Sequence, residues 1–141
     1  MNVAPLKRWS GFTDQTADFT AGSTSSRMYW WDSSGKQGQW VATATFANAW
    51  ERHAYVEVEV TKTYGDGRTE TTSVKDFYIP ANGSAPLEVW HNDIRAKGTT
   101  KHNVVSVSLK VVEVRTADLD WKPITFPASG KPVTISAPSV P

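Results

Sequence analysis

The feature that most constrains this chain is a strict alternation of apolar and polar residues in three separate runs. In Trp40–Phe46 the even positions are apolar, and the intervening Thr43 and Thr45 are polar. Ala54–Lys62 and Val104–Val114 repeat the pattern, with many β-branched residues. Because successive side chains of a strand point to opposite faces, the pattern predicts antiparallel strands with one buried face and one open face. We therefore predict a mainly β protein.

Turn residues separate the predicted strands. Asp32–Gly35 precedes the first alternating run, and Gly65–Gly67 follows the second. Asp-Gly between two strands is a strong hairpin signal, so the neighbouring strands are expected to pair. We predict a single antiparallel meander sheet within residues 1–115, formed by strands at 16–20, 27–32, 39–47, 53–64, 68–79 and 103–115.

Residues 84–98 carry the signals of one short helix. They include a capping Ser, a Pro suited to a first turn, an apolar stripe and a final Gly. These residues are Ser84, Pro86, Leu87, Trp90, Ile94 and Gly98. The alternative for the same segment is an extended loop, and the sequence leaves both open.

The C-terminal residues 116–141 hold five of the eight prolines. This density of proline excludes a long helix. Ile124–Phe126 and Val133–Ile135 could form short edge strands. We predict an extended Pro-rich arm that packs on the same domain or on a partner subunit.

Composition excludes several classes of protein. Fifteen Lys and Arg against fourteen Asp and Glu give a net charge of +1, which neither indicates nor excludes a local basic patch. The chain has no cysteine, so disulfides and thiolate metal sites are excluded. The N-terminal residues lack a secretory pattern, and no run approaches the ~20 apolar residues of a membrane helix. We expect synthesis in a cytoplasm and no membrane partner.

No constellation for catalysis is visible in the sequence. His53, His91 and His102 do not pair at metal-ligand spacing, and no Gly-rich phosphate loop is present. Glu57 and Glu59 share one strand face and could form an acid pair, but a solvated face is the simpler interpretation. We therefore predict no enzyme activity, no metal and no cofactor.

The open face and the seven tryptophans are the candidates for binding. Most tryptophans are expected to pack in the core or at sheet edges, with Trp31, Trp50 and Trp90 as candidates for stacking on a sugar, a base or a partner. Small hydroxyls with a Tyr and a Lys suit contact with nucleotides, although glutamates on the same face oppose it. The predicted RNA-binding residues are Thr43, Thr45, Tyr55, Glu57, Ser106, Ser108 and Lys110.

Residues 28–64 read MYWWDSSGKQGQWVATATFANAWERHAYVEVEVTKTY. With the later strand Val104–Val114, this stretch resembles the coat proteins of single-stranded RNA bacteriophages over about half of the chain. In that family a Trp strand leads into a short Asp/Ser/Gly turn, then a Thr-alternating strand, a loop to an Arg and a V-x-V strand. The matching elements here are Trp31, Asp32–Gly35, Val41–Thr45, Arg52 and Val56–Val60.

The resemblance implies a homodimer that self-assembles into an icosahedral virion shell and contacts genomic single-stranded RNA with its inner sheet face. It places subunit contacts in the 82–103 segment and the C-terminal arm, at Trp90, Ile94, Trp121 and Phe126. Two departures are visible. Glu57 stands where the family tends to have Lys, and the Pro-rich tail replaces two terminal helices, so extended arms would have to clasp the partner.

Two other interpretations remain open. The run Thr43–Tyr55 is similar to part of the fungal fruit-body lectins and actinoporin-like cytolysins, which implies a carbohydrate-binding β-sandwich with Trp50 and Tyr55 as its binding aromatics. A tail or decoration protein of a DNA phage would use the same kind of surface.

Overall fold

The computed structural model describes residues 21–30, 37–95, 103–127 and 132–138. The described residues form eight strands and contain no helix. The strands are β1 (Ala21–Trp30), β2 (Gln37–Asn48), β3 (Ala54–Tyr64), β4 (Thr69–Ile79), β5 (Gly83–Arg95), β6 (Val104–Ala117), β7 (Pro123–Pro127) and β8 (Val133–Ser136). The predicted mainly β, antiparallel class is confirmed. The predicted strand at 16–20 lies outside the described residues.

The strands form two sheets rather than the predicted single meander. The first sheet has the order β1-β2-β5, and the second has the order β4-β3-β6-β7, with β8 also paired to β6. All of the pairings are antiparallel. The chain therefore changes sheet between β2 and β3, between β4 and β5, and between β5 and β6. Alternation predicts which face of a strand is buried, but not which sheet the strand joins.

The helix considered for residues 84–98 is not formed over the described part, because residues 83–95 are strand β5, paired along β2. Leu87 and Val89 face the core, whereas Glu88 and Trp90 are exposed, which is a period of two. Pro86 is tolerated because β5 lies at the edge of its sheet.

The core lies between the two sheets and takes side chains from both. Trp40, Ala42, Ala44 and Phe46 come from β2; Val56, Val58 and Val60 come from β3; Val107, Leu109 and Val111 come from β6. Burying each large side chain contributes about 1.5–3 kcal/mol, so this layer accounts for much of the drive to fold. The Trp40 Nε1–H donates to the carbonyl oxygen of Val104 at 3.1 Å and ties the sheets together.

The C-terminal arm forms β7 and β8, which both pair with β6 of the same chain. The two short edge strands expected at Ile124–Phe126 and Val133–Ile135 are thus present. Among the described residues, no helix is long and apolar enough to cross a membrane.

Candidate binding surface

The predicted RNA-binding residues do not share one surface. Thr43 and Thr45 lie on β2 and therefore on the outer face of the first sheet. The others lie on β3 and β6, on the outer face of the second sheet: Tyr55, Glu57, Ser106, Ser108 and Lys110. Because the two sheets pack through their inner faces, the outer faces point in opposite directions. The seven residues therefore do not lie on one continuous open sheet face, as the alternation had predicted.

One part of the outer face of the second sheet is covered by small hydroxyl side chains. Cross-strand neighbours there form two rows of four across β4, β3, β6 and β8. We call this region the hydroxyl half; it comprises Thr61, Thr63, Thr69, Thr71, Ser106, Ser108, Thr134 and Ser136. The Thr61 and Thr71 hydroxyls lie 3.1 Å apart and form a hydrogen bond. Such pairs stabilise a sheet, so the hydroxyl half has a sufficient explanation without a ligand.

The remaining part of that face is aromatic and charged. Tyr55 on β3 is the register neighbour of Tyr78 on β4 and of Arg115 on β6. The rings of His53, Tyr55 and Tyr78 are in mutual contact, with centroid separations of 5.6, 5.5 and 5.6 Å. Tyr55 is 38% exposed and Tyr78 is 47% exposed. Tyr is enriched among the residues that dominate binding energy at interfaces, so these exposed rings are candidates for contact with a ligand.

Charged side chains border the three rings. The Arg115 guanidinium forms an ion pair with Asp76, and its Nε lies 3.6 Å from the Glu113 carboxylate. The guanidinium carbon of Arg115 also lies 5.8 Å from the centre of the Tyr55 ring. We call this region the aromatic half; it comprises His53, Tyr55, Tyr78, Asp76 and Arg115.

The backbone of Asp76 has a φ of +59°, in the left-handed region. This region costs an ordinary L-residue about 1–2 kcal/mol, and Asp is one of the few residues that enter it at lower cost. The residue lies where the β3–β4 register shifts, between the pairs Val56↔Phe77 and Val58↔Val74. A bulge of this kind redirects a side chain, and here it accompanies the pairing of Asp76 with Arg115.

Side-chain hydrogen bonds hold the 49–53 loop beside the aromatic half. The Asn48 Nδ2 donates to the carbonyl oxygens of Arg52 at 2.8 Å and Ile79 at 3.3 Å. The Asn48 Oδ1 accepts from the Trp50 backbone N–H at 2.9 Å. The Thr116 hydroxyl donates to the carbonyl oxygen of His53 at 2.8 Å. The His53 ring is thus presented by a loop fixed on both sides.

Trp50 is a core residue, which corrects its proposed role as a sugar-stacking aromatic. Its side chain is buried, and its Nε1–H donates to the carbonyl oxygen of Ala117 at 2.8 Å. Tyr55, the other aromatic of that hypothesis, is exposed as predicted.

The predicted subunit-contact residues are spread over the molecule. Trp90 is exposed on the outer face of the first sheet, 5.6 Å from the Tyr29 ring. Trp121 is 65% exposed in the turn between β6 and β7. The side chains of Ile94 and Phe126 lie outside the described part of the chain, as does Trp31. Trp90 and Trp121 therefore do not form one patch.

Sequence reasoning missed His53, Asp76, Tyr78 and Arg115. The β3–β4 hairpin was predicted, and it brings β4 beside Tyr55, but the bulge near Asp76 decides which residue stands opposite. That residue is Tyr78. No local sequence signal of this irregularity is evident. In the described ranges, no group of three or more His, Asp or Glu side chains is placed to bind a metal ion.

The chain matches no protein-family model and no curated protein. Several solved structures share its fold. One is a target of the Northeast Structural Genomics Consortium, with a TM-score of 0.51, 13% sequence identity, and coverage of 86% of this chain and 88% of the other. A Bordetella pertussis protein described as ApaA gives the same TM-score and identity, with 86% and 94% covered. At this identity the likeness shows the fold alone.

Proposed function

We propose that this chain is a non-catalytic β-sandwich module that binds carbohydrate through its aromatic half. The observation that carries the proposal is the exposed cluster of His53, Tyr55 and Tyr78, with centroids 5.5–5.6 Å apart. A pyranose ring presents an apolar C–H face that stacks on aromatic rings, and burying it there removes apolar surface from water.

The charged border supports the same ligand. Sugar hydroxyls both donate and accept hydrogen bonds, and the Asp76 carboxylate accepts while the Arg115 guanidinium donates. Hydrogen bonds to ionised groups are stronger than those between neutral groups, so two such groups fix the orientation of a stacked sugar.

The relative tilt of the rings limits the shape of ligand that can stack on them. The planes of Tyr55 and Tyr78 differ by 55°, those of His53 and Tyr78 by 40°, and those of His53 and Tyr55 by 86°. Rings tilted in this way do not form one flat platform. The surface therefore suits one or two sugar units at a chain end or branch, and not the face of an extended flat polymer.

The proposal includes no chemical step. Two carboxylates at this surface, those of Asp76 and Glu113, are engaged by Arg115. In the proposed role both carboxylates position the guanidinium, Asp76 also accepts from a sugar hydroxyl, and neither is required to transfer a proton.

The test is a glycan array probed with the labelled protein and two variants. Binding is expected for the wild type and is expected to be lost in the double variant Tyr55→Ala, Tyr78→Ala. Tyr29→Ala is the matched control, because Tyr29 is 36% exposed and lies in the other sheet. Absence of glycan binding by the wild type, or equal binding by the double variant, would contradict the proposal.

The coat-protein hypothesis stays a second proposal. Its support is the exposed pair Tyr29 and Trp90, which shares the outer face of the first sheet with Thr43 and Thr45 and offers an aromatic surface for self-association. Size-exclusion chromatography and negative-stain electron microscopy test it. Uniform shells containing nuclease-protected RNA would support a virion protein made in a host cytoplasm. Monomers without RNA would contradict it.

A further inference from the structure

Arg52 and Trp121 form a second cation–aromatic contact at the same end of the sandwich. The Arg52 guanidinium carbon lies 3.7 Å from the centre of the Trp121 ring. Trp121 is nevertheless 65% exposed, so much of the indole is open to solvent. The 49–53 loop therefore joins this pair to the aromatic half, since Arg52 and His53 are consecutive.

A rigid turn holds Trp121 in place. Its backbone φ is +65°, a conformation that a large L-residue rarely adopts. The Asp118 Oδ1 accepts from the backbone N–H groups of Asp120 at 2.8 Å and Lys122 at 2.9 Å. The Trp121 N–H donates to the carbonyl oxygen of Asp118 at 3.0 Å. Strained residues of this kind persist where surrounding bonds over-determine them, and they cluster at ligand sites.

The charge of Arg52 is not neutralised within the described part of the chain. Its NH1 donates to the carbonyl oxygen of Glu51 at 3.3 Å, and its NH2 donates to that of Leu119 at 3.1 Å. Its buried Nε has no hydrogen-bond partner among the described residues. The ion pairs found among the described residues belong to Arg115 instead.

The donor count of Arg52 leaves room for a bidentate ligand. A guanidinium has five N–H donors, two of them on each terminal nitrogen. After the two carbonyl contacts, one N–H on each terminal nitrogen has no described acceptor. One N–H from each of the two terminal nitrogens can donate to the two oxygens of a carboxylate.

We infer that Arg52 and Trp121 are the acid-recognition part of this surface, so that its ligand is a saccharide carrying a carboxylate, such as a uronic or sialic acid. The inference rests on the proposed carbohydrate-binding function. Arg52 accepts the carboxylate in a bidentate contact, and the open part of the Trp121 ring stacks on the sugar that bears it.

The test compares acidic glycans with their neutral counterparts on one array. The probes are galacturonate, glucuronate and sialic acid glycans, each beside the same glycan with the acid esterified or removed. Wild type is expected to bind at least one acidic glycan about tenfold or more tightly than its neutral counterpart, as one charged bidentate contact predicts. Arg52→Met is expected to abolish that preference, and Arg52→Lys to retain part of it.

Two further variants keep the test decisive. Arg68→Met is the matched control, because Arg68 stacks on the Tyr64 ring at 4.3 Å; it should leave the preference unchanged. Trp121→Asn removes the ring but tolerates the left-handed backbone, and it should weaken acidic binding with an unchanged circular dichroism spectrum.

The outcomes separate this inference from the proposed function. Equal binding of acidic and neutral glycans, lost in the Tyr55 and Tyr78 double variant, would overturn the inference and leave the proposed function standing. An acid preference that survives in folded Arg52→Met would also overturn the inference. Failure of the wild type to bind any glycan would overturn both.

Discussion

The outer face of the second sheet has two halves that differ in chemistry although the same strands β3, β4 and β6 run through both. The hydroxyl half consists of Thr and Ser side chains that pair across strands, as at Thr61 and Thr71. The aromatic half carries large rings, an ion pair and a residue with positive φ, Asp76. Aromatic and opposite-charge pairs across strands also stabilise a sheet, so stability alone does not distinguish the two halves. What distinguishes them is the exposed ring surface that the aromatic half offers to a ligand.

The largest effect is expected from Asn48, whose side chain fixes the 49–53 loop beside the aromatic half. Asn48→Ala removes three hydrogen bonds at a buried position, and we expect the free energy of unfolding to fall by about 3 kcal/mol. Urea denaturation measures this loss. Amide hydrogen exchange should rise first in residues 49–53. A loss below about 1 kcal/mol, or exchange rising first in the hydroxyl half, would show that the loop is held by other contacts.

The second-largest effect concerns ligand affinity, which should depend on the aromatic half and not on the hydroxyl half. The double variant Tyr55→Ala, Tyr78→Ala should weaken binding of the glycan found on the array by about 2 kcal/mol, or about 30-fold in Kd. This is the size of effect that aromatic hot spots have. Isothermal titration calorimetry measures the change. The idea fails if Thr61→Ala with Thr71→Ala in the hydroxyl half weakens binding equally.

A smaller effect is expected when only the charged border of the aromatic half is changed. Asp76→Asn keeps a side chain that tolerates the left-handed backbone but removes the ion pair with Arg115. We expect a loss of about 1 kcal/mol in binding, or about fivefold in Kd, with a change in unfolding free energy under about 1 kcal/mol because both partners are partly exposed. Unchanged affinity would show that the rings act without the charged border.

The smallest effect is expected in the hydroxyl half itself. Thr61→Ala with Thr71→Ala removes one exposed cross-strand hydrogen bond and lowers the β propensity of two positions. The free energy of unfolding should fall by about 0.5–1 kcal/mol, with glycan affinity unchanged. Thermal denaturation and the array check the two parts. A loss of affinity here would erase the distinction between the two halves.

Much of the local structure could be predicted from the sequence. Alternation located β2, β3 and β6 to within one or two residues at each end, and the Asp-Gly turn placed β4 and correctly joined it to β3. The assignment of strands to sheets could not be predicted, because packing between Trp40 and the Val104 strand depends on contacts distant in sequence. Residues 83–95 were misjudged since Pro86 and Leu87 fit the start of a helix as well as an edge strand.

The candidate site was predictable only in part. Tyr55 was identified because alternation placed it on an outer face. Trp50 was misjudged because a loop position suggested exposure, whereas its indole reaches the carbonyl oxygen of Ala117, 67 residues along the chain. Tyr78 and Asp76 depend on a bulge, and Arg115 depends on the register of β6. These are tertiary features that leave no local pattern.

The most direct test of the account is an NMR titration of the ring protons of Tyr55 and Tyr78 and the methyl groups of Thr61 and Thr63. The best glycan from the array is the titrant. We predict that the tyrosine ring resonances shift and show contacts to sugar C–H protons, while the threonine methyl resonances stay in place. Shifts confined to the threonine methyl groups, or to the Tyr29 and Trp90 rings, would contradict the assignment of the aromatic half as the binding surface.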